Sequence, residues 1–140
     1  MQLTNNESRL KALLQFWMVA FLGSTVVFCF FGNELLNRFN QLSSRFSPTL
    51  PLIAIPQEKF WLVLTTSLMI TLVFLCYSGQ KDIQKNISVV PPILVSKFVS
   101  TFFFFAFFIL VSRCLAYFIG MVVDGSVFLL TYSFYRAVKK

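Results

Sequence analysis

Four stretches of this sequence are each about as long as a bilayer is thick, and they are nearly free of charge. A hydrocarbon core of about 30 Å is crossed by about 20 apolar residues in a helix. Residues 12–31 and 60–78 carry no charged side chain. Residues 89–112 are interrupted only by Lys97, and residues 114–135 only by Asp124. In lipid a backbone must satisfy its own hydrogen bonds, so segments of this kind are helical. The expected fold is all-α: an integral membrane four-helix bundle, built as one domain over residues 1–140.

Composition points the same way. Hydrophobic residues make up 57% of the chain and charged residues 12%, against about 45–50% and about 25% in soluble domains. The 19 phenylalanines exceed what a soluble fold of this length can hide without large exposed apolar patches. The net charge is +7, but the basic residues are scattered among the apolar runs. They form no basic, aromatic-interleaved patch of the kind that binds nucleic acid, and the expected surroundings are a lipid bilayer. The polar start, MQLTNNESRLK, leads into a span with no small-residue cleavage site, which reads as a retained span with no signal peptide.

The connections differ in length. Residues 32–59 form a long one, residues 79–88 a short charged turn, and the third and fourth spans meet almost directly at Ser112-Arg113-Cys114. A connection that short makes the last two helices an antiparallel hairpin. Within the long connection, NELLNRFNQLSSRF puts Leu35, Leu36, Phe39, Leu42 and Phe46 on one helical arc, with Asn37, Arg38, Gln41 and Arg45 mostly outside it. That pattern predicts an amphipathic helix lying on the membrane surface. The prolines that follow, Pro48, Pro51 and Pro56, predict irregular chain. Lys and Arg counted by side give seven with the termini (Arg9, Lys11, Lys81, Lys85, Arg136, Lys139, Lys140) and four opposite (Arg38, Arg45, Lys59, Arg113). Both termini are therefore expected in the cytoplasm, and residues 32–59 outside.

Little chemistry is available to such a chain. It has no histidine, and Cys29, Cys76 and Cys114 lack CxxC spacing, which disfavours zinc, haem and Cys-His catalysis. The five glycines are isolated and form no phosphate-binding loop. Neither an enzyme nor a cofactor is expected, and the cysteines read as small buried hydrophobes, with a Cys29 to Cys114 disulfide as the alternative. The charges inside the spans remain. Counted from Arg113, Lys97 lies 16 residues back and Asp124 11 residues on, so their depths differ by roughly 7–8 Å at the rise of an α-helix. A lysine side chain can nearly bridge that gap. Asp124 is expected to face the bundle interior, paired with Lys97 or held neutral by Ser100 or Thr131. Tyr117, Gly120, Asp124, Thr131 and Tyr135 share one stripe, and Ser96, Lys97, Ser100 and Thr101 one arc. Small and hydroxyl-bearing residues suit close helix packing in membranes. A structural contact is the first reading of the pair, and an ion or proton pathway is the rival. The Phe-rich run TFFFFAFFIL reads as lipid-facing, or as a surface for another membrane helix.

The run LVFLCYSGQKDIQKNI, a span closing into a short turn of mixed charge, follows the long external connection RFNQLSSRFSPTLPLIAIP. With four spans, cytoplasmic termini and a basic tail, this layout resembles the four-span immunity proteins of pore-forming colicins. The resemblance implies a protein of the bacterial inner membrane that binds the inserted pore-forming domain of a bacteriocin and keeps its channel from opening. The resemblance carries over no binding residue; Arg38, Phe39, Arg45 and Arg113 are the candidate partner-facing residues by their place on the expected outward side. An accessory subunit of a larger membrane complex is the alternative, followed by a small channel or transporter using Asp124 and Lys97.

Overall fold

The structure is a computed structural model that describes residues 3–46, 49–57 and 59–139. Four helices, α1 (Asn5–Phe46), α2 (Phe60–Lys81), α3 (Val90–Leu110) and α4 (Leu115–Lys139), are joined by irregular chain and one 3-10 turn at Ile87–Val89. No strand occurs among the described residues. Each helix contains a segment long and apolar enough to cross a membrane, and together they mark a multi-pass membrane protein.

Local sequence explains most of the ends. Thr4 and Glu7 form a capping box at the start of α1: the Thr4 amide donates to Glu7 Oε2 at 2.7 Å, and the Glu7 amide to Thr4 Oγ1 at 3.3 Å. α3 opens with Pro91-Pro92 in its first turn, where a missing amide donor costs nothing. α2 runs on through Ser78-Gly79-Gln80-Lys81 and stops at Asp82, which is extended. The Asn86 carboxamide then donates to the orphan Ser78 carbonyl at 2.8 Å and holds the turn against the helix end.

α1 consists of two helical segments that meet at a kink where Phe31, the residue at which the first span is expected to end, takes a non-helical φ of −126° and ψ of 19°; residues 33–46 are helical, as the sequence predicts. The physical reason lies in the sequence: Gly32-Asn33 weakens a helix without ending it, and the next proline is Pro48. The inner arc is half-covered at Leu35, Leu36 and Phe39, while Leu42 and Phe46 are exposed. Asn40 clasps the proline-rich strand of chain that returns beside it. Its Nδ2 donates to the Ile53 carbonyl and its Oδ1 accepts from the Ile53 amide, both at 2.9 Å.

In the bundle α1 packs against α2 and α4, and α3 packs against α4, while α2 and α3 meet only lightly. The hairpin expected of α3 and α4 is present. The core lies toward the end that holds the termini and the Asp82–Val89 turn. Leu10, Leu14, Trp17 and Phe21 of α1 meet Leu72 and Cys76 of α2, Val90, Ile93 and Leu94 of α3, and Val127 of α4, with Ile83 from the turn. Toward the other end, only Thr25 and Cys114 are buried in the apolar spans. The three cysteines are free. The alternative of a Cys29 to Cys114 disulfide fails because Cys29 faces α2, with its sulfur 3.3 Å from Thr66 Oγ1, while Cys114 is buried at the start of α4.

Candidate functional site

The polar centre of the bundle is built on the α3–α4 hairpin. A buried stripe on α3 runs Val90, Ile93, Leu94, Lys97, and continues through half-buried Ser100, Thr101 and Phe104. This is the i, i+3, i+4 face of one helix. On α4 the facing stripe is Gly120, Asp124, Val127 and Thr131. Gly120 lets the helices close: a Cβ there would stand 2.8 Å from the Phe104 ring. At Gly125 the side chain of Thr101 is already 3.4 Å from where a Cβ would be.

Close approach brings the two charges together. Lys97 Nζ donates to Asp124 Oδ1 at 2.8 Å, with the lysine side chain 4% exposed and the aspartate 15%. The second carboxylate oxygen, Oδ2, accepts from Ser100 Oγ. α1 closes the site from the side, placing the Phe21 ring 4.8 Å from the ammonium, a cation–π contact strengthened by the burial of the lysine. The site therefore spans three helices. The Lys97 carbonyl also accepts from Thr101 Oγ1 at 2.6 Å.

Thr131 is not a partner of Asp124. It lies two helical turns along α4, where its hydroxyl accepts from the Trp17 indole N–H at 3.1 Å and donates to the Val127 carbonyl at 2.7 Å. Ser96, grouped by periodicity with Lys97, is exposed. Trp17 and Phe21 are the members that sequence reasoning missed. Their i, i+4 spacing in an uncharged run was the available signal, but nothing in it distinguishes an inward aromatic from a lipid-facing one.

The candidate partner-facing residues lie elsewhere. Arg38, Arg45 and Arg113 are exposed, and Phe39 is half-covered; Arg38 and Arg45 stand on the second half of α1, and Arg113 in the hairpin turn. At the termini end, Glu7 also accepts from the Gln84 carboxamide at 3.2 Å. The Thr4 amide, reinforced by the Thr4 hydroxyl and Gln84, holds its carboxyl below the usual carboxylate range. Asn6 donates to the Ala137 carbonyl at 2.9 Å and ties the two terminal helices together. Among the described residues, no group of three His, Cys, Asp or Glu side chains is placed to hold a metal ion.

Chemically, the centre is a closed pair. The carboxylate is satisfied by an ammonium and a hydroxyl, and the ammonium by a carboxylate and a ring face. Such an arrangement fixes helix register and orientation, because the neutral sum is achieved at one depth only. No protein-family model matches this chain, and neither a curated protein nor a solved structure matches it.

Proposed function

We propose that this protein acts within the bilayer by binding helices of another membrane protein, and that its partner is the membrane-inserted pore-forming domain of a bacteriocin, whose channel it keeps closed. One observation carries the helix-binding reading: the apolar helices face outward. Between 11% and 22% of the most apolar window of each helix is buried within the bundle. The faces left over are broad and aromatic, with Phe98, Phe102, Phe103, Phe105 and Phe107 of α3 all exposed. The internal charges, by contrast, are already paired with each other.

Four spans with a long first connection and a short charged second one support the immunity form of this reading, in a bacterial inner membrane with both termini cytoplasmic. Arg38, Arg45 and Arg113, exposed at the opposite end, would then meet a toxin arriving from outside. The test is to express the chain in sensitive bacteria and challenge them with a panel of pore-forming bacteriocins. Protection against one toxin and not its relatives is the expected result; uniform sensitivity rejects the immunity form. The same outward faces suit an accessory subunit, for which the expected result is co-purification with other membrane subunits in a fixed ratio. A proton- or substrate-coupled flux in liposomes would instead assign the Lys97–Asp124 centre to transport.

A further inference from the structure

A cleft of about 400 Å³ opens where the first span ends and the second begins, between the kinked part of α1 and the start of α2. Its lining combines apolar Phe28, Trp61 and Leu62 with polar Asn33, Glu34, Lys59, Gln57 and Thr65. Gly32 lines it as well, and a Cβ on Gly32 would meet nothing within 4 Å. A side chain at this position therefore has open space to occupy. Its depth along the chain is that of the headgroup layer: the uncharged run of α1 ends at Phe31, α2 begins at Phe60, and Trp61 is a residue type that settles at the membrane interface.

We infer that this cleft is a binding site for a single phospholipid with a primary-amine headgroup, of the phosphatidylethanolamine class. The occupant follows from charge complementarity. Glu34 and Lys59 are both exposed and line the same cleft, and the ion pairs among the described residues are Lys85–Asp82 and Lys97–Asp124, so these two do not close on each other. A zwitterionic headgroup offers the matching pair of charges, with a phosphodiester for the Lys59 ammonium and a primary ammonium for the Glu34 carboxylate. The Asn33 carboxamide adds a donor and an acceptor beside them. Hydrogen bonding between two ionised groups is the strong kind, and it separates ethanolamine from choline, whose methylated nitrogen has no N–H to donate. The acyl chains leave along Phe28 and Leu62, toward the hydrocarbon. An anionic lipid satisfies Lys59 but leaves Glu34 facing a like charge.

The full chain, purified in detergent, tests this by native mass spectrometry with added phosphatidylethanolamine, phosphatidylcholine and phosphatidylglycerol of identical acyl chains. The expected result is one retained phosphatidylethanolamine, preferred about tenfold over the other two, as the loss of one charge-assisted hydrogen bond would give. Glu34→Gln should erase the preference for ethanolamine over choline, and Lys59→Gln should weaken all three lipids. Gly32→Phe should fill the cleft and displace lipid while leaving the circular dichroism spectrum and melting unchanged, since neither the space nor the backbone sign opposes a side chain there. Equal retention of all three lipids by the unmodified chain overturns the proposal, and so does a preference that survives both Glu34→Gln and Gly32→Phe. Glycerophosphoethanolamine, which has the headgroup without the chains, should fail to compete; effective competition would make the cleft a small-ion site and overturn the lipid assignment.

Discussion

Replacing Lys97 by Met and Asp124 by Leu, singly and together, separates the worth of the buried pair from the worth of its neighbours. Lys97 lies seven residues from the start of α3, about 10 Å along the axis, and Asp124 nine residues from the start of α4, about 13 Å. A lysine that loses its partner can extend its four-carbon stem toward the nearer interface. The short aspartate side chain cannot, and a carboxylate at mid-depth costs about 2.5–3.5 kcal/mol on insertion scales. Ser100 stays bonded to Asp124 and offsets about 0.6 kcal/mol, the average for a hydrogen bond between membrane helices. Lys97→Met is therefore expected to cost about 2–3 kcal/mol, Asp124→Leu about 1 kcal/mol, and the double variant no more than the milder single. The assay is reversible unfolding in mixed micelles, followed by the fluorescence of Trp17 and Trp61. Equal effects of the two single variants would refute the depth reasoning. A double variant whose cost is the sum of the singles would refute the coupling itself.

Three further outcomes are expected. Gly120→Val should cost about 1–3 kcal/mol by overpacking the Phe104 ring, whereas Gly23→Ala, where a Cβ meets nothing within 4 Å, should be neutral or slightly stabilising in the same unfolding assay. In a cysteine-free background, an impermeant thiol reagent should label Ser44→Cys, on an exposed position of α1, and miss Lys139→Cys; the reverse pattern rejects cytoplasmic termini. Because the folded carboxyl of Glu7 sits below its ordinary value, its hold on the first turn is complete above that ordinary value and is lost as pH falls through the lowered one. The Thr4 amide resonance should report that loss in acid, and Glu7→Gln should abolish the pH dependence.

The elements with a strong physical signature were legible in the sequence. Length and absence of charge gave four apolar helices, and Ser112-Arg113-Cys114 left no room for anything but a hairpin between the last two. Proximity of Lys97 and Asp124 was within reach because a turn at a known residue converts sequence distance into depth. Thr131 shows where that reasoning stops: it shares the Asp124 stripe, but its hydroxyl is taken by Trp17, on a helix more than a hundred residues away in sequence. Periodicity assigns a face and says nothing about which neighbour that face meets. Ser43 shows the same periodicity succeeding: it falls on the arc of Leu36 and Phe39, and it is 2% exposed, with no partner for its hydroxyl among the described residues. The helix past Phe31 was legible, but the way it joins the first span was not, since Gly32-Asn33 permits either a kink or a stop and local sequence does not decide between them.

The position of the charge pair explains why a membrane bundle retains it. Going along α3 from its start, Lys97 is the last buried residue; on α4, Val127 and Thr131 are buried on the termini side of Asp124, and nothing is buried beyond it. The pair thus stands at the boundary between a packed core and a half of the bundle whose apolar faces remain open. In that open half, hydrophobicity cannot choose between a neighbouring helix and a lipid chain, because lipid is as apolar as leucine. A directional contact between opposite charges can choose. Lys97 and Asp124 fix α3 and α4 against each other at the depth where apolar packing gives out, with Phe21 of α1 placed on the ammonium from the side. Under the helix-binding reading, a partner can then spread its helices across the open phenylalanine faces without prising the hairpin apart, and the charge pair holds the shape of the binding surface while the aromatic faces supply its area.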